Sequence, residues 1–159
     1  MFFICDSMLG RTARFLRLFG HDTLYKNTFS DDELLDFSLK EQRTLLTRDV
    51  ALYHRARKRK IEAFLLPQKS HIERLSALVR DAKLSLTLDP ANSRCATCNA
   101  EIAPIAKKEV YGKVPEKTYA KFNDFWICTN NNCAKIYYEG RHWIKIIEVY
   151  EEIQKKAIL

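Results

Sequence analysis

Glycine is scarce in this chain: its 159 residues include only four. A loop that cradles a phosphate with successive backbone N–H groups depends on glycines at fixed spacing, and no such run is present. The sequence also shows no Ser, His and Asp arrangement of the kind used in nucleophilic catalysis. These absences argue against a glycine-loop nucleotide-binding protein and against a serine hydrolase.

Long hydrophobic runs are absent as well. No stretch approaches the roughly 20 apolar residues of a membrane-spanning helix, so no membrane association is expected. The opening Met1–Cys5 is apolar but short, has no basic start and runs directly into Asp6, so we expect no signal peptide. Five cysteines are an odd number in a chain without an export signal, which favours reduced thiols in a cytoplasmic protein over a disulfide framework.

Basic residues are in modest excess. Lys and Arg number 27 against 20 Asp and Glu, giving a net charge of +7 that is spread over both halves of the chain. This bias is compatible with a polyanionic partner such as RNA but does not prove one. The apolar content of 47% is enough for a real core.

Short apolar runs alternate with helical periodicity over the first ninety residues. Strands are predicted at 2–5, 23–25, 44–47 and 63–66, and helices at 8–19, 30–40, 50–59 and 70–82. Gly20 stands where the end of a helix usually requires a left-handed residue, and Ser30 with Glu33 matches a capping box. Strands that alternate with helices in this way predict an α/β fold with a mostly parallel sheet flanked by helices.

The composition changes after Leu88. Residues 89–93 are a turn-forming connector, and cysteine pairs begin immediately afterwards. We therefore predict two domains, residues 1–90 and residues 91–159. The second is expected to be a small zinc module that ends in a closing helix at 143–156.

Four of the cysteines form two pairs. Cys95 and Cys98 enclose two residues, and Cys128 and Cys133 enclose four. Two thiolate pairs on separate knuckles are what a tetrahedral zinc ion requires, and four thiolates fill its coordination sphere, so the predicted zinc is structural. Disulfides or a redox pair are the alternatives, although one redox motif would not need a second pair. Cys5, in an apolar strand, is predicted to be a core residue.

Aspartates follow two of the predicted strands. Asp6 comes directly after the first strand and Asp49 after the third, and ligands of a parallel α/β sheet bind where such strand ends meet. Asp31, at the start of the second helix, could approach the same edge. Carboxylates of this kind can hold Mg²⁺ or Mn²⁺, and the ion can activate water against a phosphodiester. The alternative is that each aspartate only stabilises the start of a helix.

Basic side chains near these aspartates are candidate substrate contacts. Arg11 and Arg14 belong to a basic stripe on the first predicted helix, and Arg48 directly precedes Asp49. A generic exposed helix face explains the stripe nearly as well. In the cysteine-rich segment, lysines interleaved with aromatic residues could hold single-stranded nucleic acid. Most of those aromatic residues are expected to fill the small core of the module instead.

Five stretches of the sequence follow one another in an order typical of one family. They are Asp6–Asp22, Ser30–Leu34, Leu45–Asp49, Arg94–Asn99 and Tyr137–Trp143. In this order they resemble the Mut-seven C-terminal ribonuclease domain family, a branch of the PIN-like nucleases. The resemblance covers essentially the whole chain, and the ordered set is far more specific than any single motif.

The resemblance implies a PIN-like α/β fold with a C-terminal zinc ribbon and divalent-metal-dependent cleavage of RNA. Three aspartates match the acidic positions of the family: Asp6, Asp31 and Asp49. Four cysteines match its zinc ligands: Cys95, Cys98, Cys128 and Cys133. A typical PIN site uses four acids, of which this sequence offers three, and the second cysteine pair is more widely spaced than is usual in the family.

The sequence therefore predicts a cytoplasmic ribonuclease, a hydrolase with structural Zn²⁺ and catalytic Mg²⁺ or Mn²⁺. One alternative is a non-catalytic RNA-binding or ribosome-associated protein in which the aspartates are caps. Another is a protein-interaction adaptor whose only metal is zinc. A toxin-like nuclease would need an antitoxin partner, and the sequence leaves open whether the chain forms a homodimer.

Overall fold

The computed structural model describes residues 1–158. Strands and helices alternate over the first half of the chain: β1 (Phe2–Cys5), α1 (Gly10–Leu18), β2 (Asp22–Tyr25), α2 (Asp31–Lys40), β3 (Thr44–Thr47), α3 (Val50–Lys58), β4 (Ala63–Leu65) and α4 (His71–Asp81). Each lies where the sequence predicts it, with small differences at the ends. The helix after β1 begins later than predicted because Ser7–Leu9 form a 3₁₀ turn.

The four strands form one parallel sheet in the order β2-β1-β3-β4. Successive residues of a strand face opposite sides of a sheet, and β1 and β3 supply both hydrophobic cores in this way. Phe3 and Leu46 lie in a core with residues of α1 and α4. Ile4 and Leu45 lie in a second core with residues of α2 and α3. The predicted α/β fold, a parallel sheet flanked by helices, is confirmed.

Helix boundaries follow the local signals in the sequence. The hydroxyl of Ser30 accepts a hydrogen bond from the N–H of Glu33, and the Glu33 carboxylate accepts one from the N–H of Ser30. The predicted capping box is therefore confirmed. Gly20 has a φ of +91°, and a Cβ at this position would lie 3.0 Å from the carbonyl oxygen of Asn92. The turn after α1 thus requires glycine for two reasons.

The second half of the chain adds five further elements: β5 (Ile102–Ile105), α5 (Glu116–Lys121), β6 (Phe125–Cys128), β7 (Ile136–Tyr137) and α6 (Arg141–Ile158). The three strands form an antiparallel sheet in the order β5-β6-β7, which we call the ribbon. The helix α6 is longer than the predicted 143–156. No helix within residues 1–158, α6 included, is long and apolar enough to cross a membrane.

The closing helix α6 returns to the first half of the chain and packs on α4. Its Ile153 is fully buried in the same core as Phe3. The hydroxyl of Ser76 in α4 donates to the carbonyl oxygen of Ile72 at 2.8 Å and also lies 3.3 Å from the carbonyl oxygen of Ile153. Residues after the ribbon therefore complete the core of the α/β fold. The division into residues 1–90 and residues 91–159 stays a prediction.

The first cysteine pair docks on the outer edge of β2. Oδ1 of Asn99 accepts a hydrogen bond from the N–H of Thr23 at 2.9 Å, and its Nδ2 donates to Oδ1 of Asp22 at 2.8 Å. The buried Arg17 of α1 donates to the carbonyl oxygen of Ala96 at 3.1 Å. These bonds cover part of an otherwise open strand edge and tie the cysteine-rich segment to the sheet.

Replacing Asn99 by Ala is expected to lower the free energy of unfolding by about 2 kcal/mol, because the N–H of Thr23 would stay buried without a partner. Asn99 also has a φ of +71°, which alanine adopts reluctantly. Chemical denaturation with zinc present throughout measures the change. Glycine adopts a positive φ without strain, so Asn99→Gly should lose only the hydrogen bonds of the side chain. Asn131→Ala, at an exposed site, is the control and should change the free energy of unfolding little. An equally small change in Asn99→Ala would contradict the role of the Asn99 side chain.

Candidate functional site

The four paired cysteines converge on one point. Their Sγ atoms all lie within 4.8 Å of one another, with 3.4 Å between Cys98 and Cys128 and 3.7 Å between Cys95 and Cys133. Sulfurs about 2.3 Å from a tetrahedral zinc ion would be about 3.8 Å apart. All five cysteines are free thiols, and Cys5 is a fully buried core residue, as predicted. The quartet is therefore suited to hold one zinc ion.

Two tight turns place these thiols, and we call them the first knuckle (Cys95–Cys98) and the second knuckle (Cys128–Cys133). The residue after each knuckle has a left-handed backbone, with a φ of 71° at Asn99 and 47° at Ala134. The second knuckle begins at the last residue of β6, so the ribbon fixes its position. The longer second loop still brings its two sulfurs into the quartet.

The surroundings of Cys95 favour its thiolate form. Although burial raises its pKa, hydrogen bonds from the Tyr137 hydroxyl and from the N–H groups of Cys98 and Thr97 outweigh that effect and lower the pKa to about 6. The Tyr137 oxygen lies 3.1 Å from Sγ of Cys95 and also accepts from the N–H of Ala96 at 3.1 Å. A thiolate is the form that binds zinc, so Tyr137 supports the site from outside the ligand set.

Asp6 and Asp49 lie at the carboxyl edge of the parallel sheet, where β1 and β3 end side by side. Thr47 joins them: its hydroxyl donates to Oδ2 of Asp6 at 2.5 Å and accepts from the N–H of Asp49 at 2.9 Å. The N–H of Arg48 also donates to Oδ2 of Asp6, at 2.8 Å. We call this group, Asp6 with Thr47, Arg48 and Asp49, the acidic edge.

Both of these aspartates also act as helix caps. Oδ1 of Asp6 accepts from the N–H of Met8, and Oδ1 of Asp49 accepts from the N–H of Leu52, each at 2.9 Å. A carboxylate has about four acceptor positions. Asp6 is 5% exposed and uses three of them, whereas Asp49 is exposed and uses one within residues 1–158. Capping therefore leaves Asp49 with most of its capacity to bind a ligand.

Asp31 has a different set of contacts. It is the first residue of α2, and its Oδ2 lies 3.2 Å from Nη1 of Arg55 in α3, which also pairs with Asp32. In the described part of the chain, the cysteine quartet is the only set of three or more His, Cys, Asp or Glu whose ligand atoms lie within 4.8 Å of one another. Asp6, Asp31 and Asp49 do not form such a set here, and a role for Asp31 in metal binding stays a prediction.

Four buried polar side-chain atoms have no hydrogen-bond partner in the described chain. Within residues 1–158 they are Nε of Arg48, Oε1 of Gln68, Nε2 of His71 and Oγ1 of Thr12. Arg48 directly follows β3, and Gln68 and His71 lie in the segment that follows β4, whose end points to the same edge of the sheet. Buried polar groups are normally paired, so the three atoms after β3 and β4 lack partners that ordered water or a ligand would supply.

Arg74 is a further cation at this edge that the sequence pattern did not reveal. It is 6% exposed and donates to the carbonyl oxygens of Gln68 and Lys69. Burial and the nearby Arg48 lower the pKa of Arg74, while Asp6 acts in the opposite direction. The segment after β4 could have been singled out by the same strand-end rule that led to Asp6 and Asp49.

The two predicted substrate contacts of α1 are both exposed and lie one helical turn apart. Arg11, in the first turn of α1, lies near His71, whose pKa is lowered by burial and then by Arg11. Arg14 lines a cleft between α1, the ribbon and α6. Neither arginine makes an ion pair within residues 1–158. The outer face of α1 thus presents two cations in a row.

The chain matches one known protein family over most of its length. A model of the Mut7-C RNAse domain family matches residues 1–150 of the chain. The chain belongs to this family. The match includes the acidic edge and all four paired cysteines, and it confirms the family resemblance of the five ordered stretches. Searches of curated proteins and of solved structures gave no match. Membership in the Mut7-C RNAse domain family suggests a nuclease-type function.

Proposed function

We propose that this Mut7-C RNAse domain protein hydrolyses RNA phosphodiester bonds at the acidic edge, with Mg²⁺ or Mn²⁺ as the catalytic ion. The observation that carries the proposal is the Asp6–Thr47–Asp49 junction at the carboxyl ends of β1 and β3. It lies within a chain that matches a ribonuclease family over residues 1–150. Two adjacent carboxylates at a strand-end crevice are a common setting for phosphoryl chemistry.

The donor atoms at this edge suit a hard divalent cation. Mg²⁺ prefers oxygen ligands, keeps several water molecules and needs only one or two carboxylates from the protein. Asp49 offers a carboxylate oxygen without a partner within residues 1–158, and Asp6 retains one acceptor position. Asp31 would become a third ligand if its carboxylate released Arg55 and bound the ion instead. A bound ion would supply positive charge against the phosphodiester and a water of lowered pKa.

Residues around the two aspartates position the carboxylates or the substrate. Thr47 holds Asp6 and the backbone of Asp49 in fixed positions. Arg48 directly follows β3 and is partly exposed, and its guanidinium group would pair with a phosphodiester oxygen. Arg11 and Arg14 provide exposed guanidinium groups for neighbouring phosphates. Structural zinc in the cysteine quartet would hold the second half of the chain in place against β2.

A non-catalytic RNA-binding or ribosome-associated protein is the alternative, and the two observed caps favour it. In that protein Asp6 caps only the 3₁₀ turn before α1 and Asp49 caps only α3, and added Mg²⁺ leaves RNA binding unchanged. A cytoplasmic location and a homodimer, ribosome or antitoxin partner stay predictions under either function.

The test is a cleavage assay on labelled single-stranded and structured RNA with the zinc-loaded protein. We expect cleavage in Mg²⁺ or Mn²⁺, no cleavage in EDTA, and recovery when the divalent ion is restored. Zinc is measured at each step so that loss of structural zinc is not mistaken for loss of the catalytic ion. RNA binding without cleavage in every condition would contradict the proposal and support the alternative.

A further inference from the structure

A cleft of about 480 Å³ opens between α1, the ribbon and the start of α6. Its size lies within the range of about 300–1,000 Å³ that is usual for ligand sites. Four aromatic residues line it: Trp126, Tyr137, Tyr138 and Trp143. The chain contains two tryptophans, so both of them lie in this cleft. We call it the ribbon cleft.

The four aromatic residues of the cleft differ in their contacts, and Trp126 also packs against the core around the cysteine quartet. Tyr137 lies under Nζ of Lys135, and Tyr138 packs against Phe122. Trp126 and Trp143 are only half-buried and take part in no ring–ring or cation–π pair within residues 1–158. Flat, weakly polar groups such as nucleobases stack well on such rings.

The charges around the ribbon cleft are mostly positive. Glu139 is the one acidic residue among those that line it, against the cations Arg14, Arg94, Lys135 and Arg141. Arg94 is engaged by Asp22 at 3.3 Å. Arg14 and Arg141 are exposed and make no ion pair within residues 1–158. An occupant that combines flat rings with negative charge is therefore favoured over a neutral or cationic one.

Helix α1 begins four residues after Asp6, and its Arg14 lines the cleft. Arg11 stands in the first turn of α1, five positions after Asp6, and Arg14 follows on the same side one helical turn later. The side chain of Arg14 reaches the cleft. A strand that is cut at the acidic edge could therefore continue past Arg11 and enter the ribbon cleft without leaving the cationic surface.

We infer that the ribbon cleft binds unpaired nucleotides next to the cleaved bond, with bases on Trp126 and Trp143 and phosphates on Arg14 and Arg141. The inference rests on the proposed function for the identity of the substrate as RNA. Stacking on these rings requires unpaired bases, so the cleft would make the protein specific for single-stranded segments. RNA with a single-stranded segment beside the cleaved bond is the preferred substrate, and a blunt duplex is a poor one.

The test uses the fluorescence of the two tryptophans in the full, zinc-loaded chain. Titration with an oligouridine of about eight nucleotides, near the site sizes of single-strand-binding modules, should quench the emission until it saturates. An abasic ribose-phosphate strand of the same length should bind more weakly and quench little. The double variant Arg14→Ala/Arg141→Ala should weaken oligouridine binding by about tenfold or more. Trp143→Ala should weaken it by about tenfold.

Lys113→Ala/Lys117→Ala is the matched control, because it removes two exposed cations that do not line the cleft. It should change the affinity about twofold or less. Equal affinities in the arginine variant and this control would overturn the inference, as would binding without quenching or no binding at all. Saturable quenching by a protein that never cleaves RNA would support the cleft assignment and contradict the nuclease proposal, so the two failures are distinguishable.

Discussion

Replacing Cys95 by Ser is expected to abolish stoichiometric zinc binding and to unfold the ribbon. Structural zinc sites of this type bind with about 10–16 kcal/mol of apparent free energy, as much as a whole domain's stability. Asn99 and Arg17 tie the first knuckle to β2 and α1, so the loss should also lower the thermal transition of the rest of the chain. Elemental analysis of zinc per chain and thermal denaturation measure the two effects.

Cys5→Ala is the matched control for this experiment. Cys5 is buried in β1 and lies outside the quartet, so its replacement should reduce stability modestly while the protein keeps one zinc ion per chain. Titration with a strong chelator should reproduce the Cys95→Ser result in the wild-type protein. A Cys95→Ser protein that keeps one zinc ion and an unchanged transition would contradict the assignment of the quartet.

Replacing Asp49 by Asn is expected to reduce RNA cleavage at least about 100-fold, because the ion would lose a charged ligand worth several kcal/mol in the transition state. Asparagine is as good a helix N-cap as aspartate. The hydrogen bond to the N–H of Leu52 should therefore survive, and the free energy of unfolding should change little. Initial cleavage rates in saturating Mn²⁺ or Mg²⁺, together with chemical denaturation, measure the two effects separately.

Asp36→Asn is the control for this variant. Asp36 is an exposed residue of α2 that pairs with Arg59 and lies outside the acidic edge, so its replacement should leave cleavage unchanged. Asp49→Ala removes the cap as well and should cost about 1 kcal/mol of stability in addition to activity. A rate in Asp49→Asn equal to that in Asp36→Asn would show that Asp49 is only a cap.

Asp6→Asn is a less selective variant, for a reason that only the structure provides. Both oxygens of Asp6 accept hydrogen bonds from groups that donate, including the N–H of Met8 and of Arg48. An amide at this position would place its own NH₂ against one of these donors. Asp6→Asn is therefore expected to lose stability together with activity, and its loss of activity alone would not identify a catalytic role.

The sequence predicted the fold of the first half well because the deciding information is local. Strand and helix periods, the Ser30 capping box and the left-handed Gly20 each depend on a few neighbouring residues. The convergence of the four cysteines was also predictable, because zinc chemistry restricts the ligands and their spacing. Asp6 and Asp49 were predictable at one edge because the carboxyl ends of all strands of a parallel sheet lie at the same edge.

Contacts between distant segments were beyond the reach of these patterns. The periodicity of α6 shows which of its faces is apolar, but it does not show that Ile153 enters the core of the sheet. The bond between Asn99 and Thr23 joins residues far apart in sequence, and no local signal announces it. Likewise, the helical pattern of α3 places Arg55 in that helix but does not show its partner. Only the packing of α3 beside α2 brings Arg55 to Asp31.

The most direct test of the central claim compares RNA cleavage by wild type and Asp49→Asn, each carrying one zinc ion per chain. Both proteins receive the same single-stranded RNA in Mn²⁺ or Mg²⁺, with matched samples in EDTA. We predict metal-dependent cleavage by wild type and at least a 100-fold slower reaction in the folded Asp49→Asn protein. Equal cleavage by the two proteins, or none by wild type in either metal, would contradict a nuclease site at the acidic edge.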